Sequence, residues 1–358
     1  MGIPQKHKKN IVFFLPLIFL MTVLPIVGYK VYRNSRIIYN NTLEEIVSEK
    51  NKAFKTRDFK DIKKVYNLLD YYHLNKSDNR RILDDLQQLE TAIKKIDHSK
   101  QLIQKMETTP NIQTIKEAKE GVRELSGNFI KEDKIAMMKK IQLVESQTRK
   151  IENEKLKYKN KKIVALTFDD GPNPSTTPIL LQILKEEQVP VTFFALGEQA
   201  VKYPNIIKKE SDDGHEVGSH TWDHKDLVTL SSKDQISEIK NASQFINKIT
   251  GKDVKLYRPP YGSYNTGILN ITDLTAINWS VDTNDWRYTT SAPVVSNAIS
   301  NVHDGAIILL HDIHPWSVNA VPQIIQQLKH QGYNFVTVST LLDIEVNGAK
   351  KHKVYFGD

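Results

Sequence analysis

Two patterns of hydrophobic positions divide this chain of 358 residues, and a third, unlike either, opens it. From Tyr32 to Asn160 the sequence is rich in Lys, Glu, Gln and Ile and poor in Gly and Pro. Ile82, Leu86, Leu89, Ile93 and Ile96 recur at alternating steps of four and three, as do Met137, Ile141, Val144, Thr148 and Ile151. That period lines them along one stripe of a helix, so amphipathic helices are predicted here. Ser77 and the Thr109-Pro110 pair are the expected helix starts, with breaks at Asn75 and Gly127. The expectation is a small helical bundle or coiled-coil stalk that acts as a spacer, because no cluster of His and carboxylates stands out from its charged faces.

The pattern changes at Lys161. Short apolar runs at 163–168, 191–196, 215–220, 274–281, 306–310 and 334–338 read as strands, separated by amphipathic helical segments that start at Thr177-Pro178 and Ser291-Ala292-Pro293. Such alternation predicts a parallel sheet with helices outside it, doubly wound or closed into a barrel, with function gathered at the C-terminal strand ends. The segment after Val338, with Lys350, Lys351 and Lys353, reads as a short basic tail.

The opening pattern is continuous rather than periodic. Lys6, Lys8 and Lys9 precede an uncharged apolar run from Ile11 to Gly28, and Lys30 and Arg33 follow it. The run is close to the minimum that spans a bilayer, and no small-residue cleavage site ends it. An uncleaved signal anchor is expected, with its basic end inside and the rest exported. The division is therefore a cytoplasmic basic tail (1–10), a transmembrane anchor (11–31), an extracytoplasmic helical region (32–160), a domain of alternating strands and helices (161–345) and a basic tail (346–358).

Composition then narrows the chemistry. The chain has no cysteine, so disulfides and thiolate metal sites are excluded, and any metal is left to His, carboxylate and water. The net charge of +8 is spread through the first half among Glu and Asp, which suits an anionic envelope and gives no nucleic-acid footprint.

The candidate chemistry lies at strand ends. Thr167-Phe168-Asp169-Asp170-Gly171-Pro172 closes the first predicted strand, and by itself could be a turn. Ser219-His220-Thr221-Trp222-Asp223-His224 follows another, and on a helical turn its two imidazoles would share one face and could share an ion. With a carboxylate they would make a His-His-Asp site that leaves a position open for water. Arg258-Pro259-Pro260-Tyr261-Gly262, Asp282-Thr283-Asn284-Asp285-Trp286 and Leu309-Leu310-His311-Asp312 follow later strands. His314, Pro315 and Trp316, with Trp222 and Tyr264, could line an open groove with aromatic faces, and Trp222 could equally brace the histidine loop.

These five segments, in this order, resemble the NodB-homology polysaccharide deacetylases, carbohydrate esterase family 4, and among them the membrane-anchored peptidoglycan N-acetylglucosamine deacetylases. The likeness covers about 163–338 without departure at a key position. It implies a distorted (β/α) barrel of fewer than eight units. It implies Asp169 as general base and Asp170, His220 and His224 as ligands of one divalent ion, zinc first, with cobalt, nickel or manganese also suited. Arg258 would orient Asp169, the Tyr261 backbone N–H would meet the oxyanion, Asp285 would orient His311 as general acid, and Trp286 and Leu309 would wall the acetyl methyl group.

The implied reaction is removal of acetate from N-acetylglucosamine-type residues of a cell-wall glycan, peptidoglycan first. The alternatives are a wall-polysaccharide linkage sugar, an exported poly-N-acetylglucosamine, or a non-catalytic glycan-binding wall protein with a decayed site. Intact Asp169, ligands and His311 argue against the last. A metal-dependent phosphohydrolase would want a bridging carboxylate and two ions, which the single His-His-Asp set does not offer.

Overall fold

A computed structural model describes residues 14–357, of which 14–25 are described as helical backbone only. It divides into two compact units, 1–148 and 149–358. The boundary falls earlier than the expected 160, because the Tyr158 ring packs on the sheet's interior cluster and Lys155 Nζ donates to Asn347 Oδ1 at 2.7 Å.

The first unit is helical. It comprises α1 (Phe14–Thr56), α2 (Phe59–Tyr72), α3 (Lys76–Thr108), α4 (Ile112–Arg123) and the part of α5 (Lys131–Lys157) up to Thr148. Ile82, Leu86, Leu89, Ile93 and Ile96 are buried as their spacing predicted. The caps are corrected. Asn75, not Ser77, caps α3 by accepting from the Asp78 amide, and Asn111 caps α4 in a reciprocal box with Thr114. In both places an Asn side chain reaches the third amide of its helix, and Thr109 is left to end α3.

The expected anchor, 11–31, falls largely on residues whose side chains lie outside the described ones. Among the described residues no helix is long and apolar enough to cross a membrane.

The second unit is a parallel α/β layer structure. Its strands are β1 (Lys162–Asp169), β2 (Thr192–Ala195), β3 (Glu216–Ser219), β4 (Leu256–Tyr257), β5 (Thr275–Ile277), β6 (Val281–Asp282), β7 (Ala306–His311), β8 (Tyr333–Phe335) and β9 (Val354–Tyr355). Around them lie α6 (Thr177–Glu187), α7 (Gly197–Lys202), α8 (Pro204–Asp212), α9 (Ser232–Thr250), α10 (Thr266–Asn270), α11 (Ser291–Ser300), α12 (Pro315–His330) and α13 (Val338–Val346). The order is β6-β7-β1-β2-β3-β4-β5-β9, with β8 beside the start of β1, and every pairing is parallel. Among the described residues β6 and β9 do not pair, so the sheet is an open (β/α) barrel.

Strand β1 explains the layering. All but its first residue are buried, and successive side chains alternate between two cores. Val164, Leu166 and Phe168 face outward, against Leu180 and Leu181 of α6 and Ile324 and Leu328 of α12. Ile163 and Ala165 face inward with Phe194, Leu256, Ile277 and Ile307. The same alternation carries Thr167 and Asp169 to the inner face at the C-terminal end.

Three expectations are corrected. The run 274–281 is two strands, since the chain breaks at Asn278-Trp279-Ser280 and β6 leaves β5 to pair with β7. Strand β8 ends at Phe335, the Val336 amide still reaches the Val164 carbonyl at 3.0 Å, and Thr337 caps α13 from Val338 onward. The expected basic tail, 346–358, is no tail, because β9 adds to the sheet beside β5, with Val354 opposite Ala276.

Candidate active site

Asp169 ends β1, and its neighbour in register on β7 is His311, so the two side chains stand side by side on the inner face. Asp169 is buried, and its Oδ1 accepts from Arg258 Nη1 at 2.7 Å. Arg258 is itself wholly buried after β4, its guanidinium 4.2 Å over the Phe194 ring. Its other donors go to Thr167 Oγ1 at 2.8 Å, the Asn278 carbonyl at 3.1 Å and the Ile277 carbonyl at 3.3 Å. Four acceptors fix the guanidinium, so it cannot leave Asp169 without orphaning buried groups. Burial raises the Asp169 carboxyl above its ordinary value, and the Arg258 charge pulls the other way.

Asp170 would point away from the interior if β1 continued. A φ of 73° at Asp170 turns the chain out of the strand instead. Its Oδ1 then lies 3.5 Å from the Nε2 atoms of both His220 and His224. The three ligand atoms of this group lie within 4.8 Å of one another.

The spacing of four residues between the histidines does not act through a helical turn, as expected. Residues 220–226 form a loop, and left-handed backbone at Thr221 (φ 68°) and His224 (φ 64°) folds the second ring back toward the first, with centroids 4.9 Å apart.

The tautomer of His220 follows from its partner. Nδ1 lies 2.8 Å from the Arg258 carbonyl, which can only accept, so Nδ1 carries the proton and Nε2 presents a lone pair. Burial drives this imidazole down to about 3, which keeps it neutral. Arg258 thus serves twice, by its side chain to Asp169 and by its carbonyl to His220.

The residues fit a divalent ion. Asp170 Oδ1 is buried without a hydrogen-bond partner while two imidazole nitrogens face it, and an ion would satisfy all three. Two nitrogens and a carboxylate oxygen are the donors of an open first-row site.

On the other side, Asp285 is wholly buried and accepts three hydrogen bonds: Oδ1 from His311 Nδ1 at 2.8 Å, and Oδ2 from the His311 amide and Ser317 Oγ at 2.7 Å each. Burial alone would lower the His311 imidazole, but the hydrogen bond and charge of Asp285 outweigh it and raise the group to about 9. Asp285 is held below its ordinary value, since the His311 and Ser317 donors overcome its burial.

Tyr261, in the short turn Pro260–Gly262, has a φ of 60° and is 68% exposed, its ring edge-on to His224 at 4.7 Å. Leu309 is buried on β7, and Trp286 stays 52% exposed beneath the Arg287 guanidinium. All ten candidate residues therefore lie at the C-terminal strand ends or in the loops that follow them.

The groove residues divide. Trp222 packs on Gly197, where an added Cβ would sit 2.5 Å from its Cε3, so it braces the histidine loop. His314 stacks on Trp316 at 4.7 Å, and Trp316 Nε1 donates to the Asp285 carbonyl. Tyr264 neighbours Phe356, 6.4 Å away. Two buried contributors were not foreseen, Ser317 and Glu238. Ser317 carries no local signal, whereas Glu238 is an acid on the buried face of an amphipathic helix.

Residues 157–278 match the family model described as polysaccharide deacetylase. Over 196 residues, 55% of this chain and 42% of the relative, the sequence is 39% identical to the peptidoglycan-N-acetylglucosamine deacetylase PgdA of Listeria monocytogenes. The matched stretch thus spans about two fifths of that relative's length. A peptidoglycan-N-acetylglucosamine deacetylase of Bacillus cereus is 38% identical over 189 residues, 51% of this chain and 69% of that one. The structure of peptidoglycan deacetylase PdaC from Bacillus subtilis superposes with a TM-score of 0.51 at 39% identity, covering 52% of this chain and 93% of that one.

Proposed function

Because this chain belongs to the polysaccharide deacetylase family, we propose that it hydrolyses the acetamide of N-acetylglucosamine-type residues in a bacterial cell-wall glycan, peptidoglycan first, and releases acetate. The observation that carries the reading is the pairing in register of Asp169 and His311, each with its own counter-charge, beside the Asp170, His220 and His224 group.

An amide is a poor electrophile and an amine a poor leaving group, so both ends of the reaction need a proton moved. Asp169 has Oδ1 tied to Arg258, while Oδ2 lies 3.6 Å from His220 Nε2, toward the ligand group. That oxygen takes the proton of the attacking water. His311 has Nδ1 tied to Asp285, which leaves Nε2 to deliver a proton to the departing nitrogen as the C–N bond breaks. The Tyr261 amide donates to the oxyanion, and Trp286 and Leu309 enclose the methyl group. Asp170, His220 and His224 would hold a divalent cation, zinc first, which supplies polarisation of the acetyl carbonyl and an acidified water.

The reading also places the catalytic unit outside the cytoplasm. The apolar run Ile11 to Gly28 with its flanking lysines, the absence of cysteine and the charge of +8 support that location.

Purified full chain, incubated with peptidoglycan, chitooligosaccharides and isolated wall polysaccharide while acetate is measured, tests the proposal. Acetate is expected from all N-acetylated substrates, most from peptidoglycan. Release from another glycan alone moves the substrate, and release from none removes the activity.

A further inference from the structure

Two of the three candidate ligands ride on a loop whose backbone L-residues seldom adopt. Thr221 and His224 both have φ above 60°, and Thr221 is β-branched. A short loop of this kind holds its shape only where its surroundings fix it.

The fixing groups can be traced. The Thr221 carbonyl accepts from the Gly197 amide at 2.9 Å and the Trp222 carbonyl from the Glu198 amide at 3.0 Å, so the start of α7 holds the acceptors. The donors are held from the other side. Glu238 Oε2 accepts from the Trp222 amide at 2.9 Å and from the Asp223 amide at 3.3 Å. Lys225 Nζ bridges Asp223 Oδ2 at 2.7 Å and Glu238 Oε1 at 3.6 Å.

Glu238 is only 7% exposed, on the inward face of α9 with Gln235, Ile239 and Ala242. An acid there departs from the amphipathic pattern, since burying a carboxylate is costly unless its hydrogen bonds compensate. Its hydrogen bonds go to the two backbone amides that lie between the ligands.

We propose that Glu238 is a positioning residue for the metal site: by clamping the Trp222 and Asp223 amides it sets the backbone that brings His224 opposite His220 and Asp170. This rests on the reading of Asp170, His220 and His224 as metal ligands. Glu238 touches neither substrate nor ion, and it acts through the loop.

The test titrates apo full chain with Co²⁺ against a chromophoric chelator and follows the visible cobalt spectrum, with circular dichroism to establish folding. Glu238→Ala is expected to weaken Co²⁺ binding by about 10- to 100-fold and to change the spectrum, as loss of a group that orients metal ligands does. Glu238→Gln keeps an oxygen that can accept from both amides and is expected to recover binding to within about threefold of wild type, a rescue that charge alone would not give. If the alanine variant fails to fold, Glu238→Asp carries the test, because the oxygen is withdrawn by one methylene while the charge stays, and it is expected to bind as weakly as alanine should. Wild-type affinity and spectrum in folded Glu238→Ala or Glu238→Asp overturn the clamp, as does a glutamine variant no better than alanine. His220→Ala runs alongside. If it too binds Co²⁺ unchanged, the metal site itself is wrong, and if it alone loses the ion, only the clamp is.

Discussion

The two ion pairs beside the Asp170, His220 and His224 group are built in opposite senses. In the Asp169 pair the cation is immobile, with Arg258 permanently charged and held by four acceptors while its carboxylate keeps one oxygen uncommitted. In the His311 pair the anion is immobile. Asp285 is spent on three donors, and the imidazole keeps one nitrogen uncommitted. One pair thus presents a proton acceptor and the other a proton donor, on neighbouring strands. A buried pair that only stabilised the fold would have no need of this asymmetry, and apolar residues would often serve as well.

The largest effect is expected at Arg258. Arg258→Gln leaves Asp169 buried without its cation, which should cost about 3–5 kcal/mol of stability in urea unfolding at pH 7. It should also raise the pH below which activity is lost, because Asp169 acts ionised and its counter-charge is gone. A loss under about 1 kcal/mol would mean that water already screens the pair.

Next comes Asp285. His311 acts protonated and is raised to about 9, so activity should persist until pH rises through that value. Asp285→Asn removes the supporting charge, and the alkaline limb should fall toward the ordinary imidazole value of about 6.5. An unmoved limb in the pH profile would detach His311 from the donor role.

The smallest effect is expected at a surface pair of the helical unit. Lys105 and Glu117 meet at 2.8 Å, but Lys105 is 59% exposed. Lys105→Ala should change stability by less than about 1 kcal/mol in the same urea experiment and leave acetate release unaltered. A larger loss would blur the contrast between buried and exposed pairs.

What the sequence makes legible follows from local pattern. The apolar run of β1 and the aliphatic stripe of α3 identify their elements, because burial on two faces or along one stripe dictates composition directly. The strand-end position of Asp169 and His311 was legible for the same reason. The extent of β4 was not legible, because two residues carry no periodicity and only the segment after them marked a strand end, nor was β9, whose Val354 and Tyr355 are masked by the lysines before them. The loop of His220 and His224 could not be read either. Its left-handed backbone is imposed by Gly197, Glu198 and Glu238, which lie elsewhere in the chain. Ser317 is likewise known only from where α12 starts beside Asp285.

In the proposed reaction Asp169 acts as a base next to a metal it does not hold. The most direct test measures acetate release from peptidoglycan and bound metal in the same samples of wild type and Asp169→Asn. Equal metal is expected in both, with a fall in acetate release of about 10²- to 10⁴-fold in the variant. Acetate release by Asp169→Asn at the wild-type rate, with the metal in place, would contradict it.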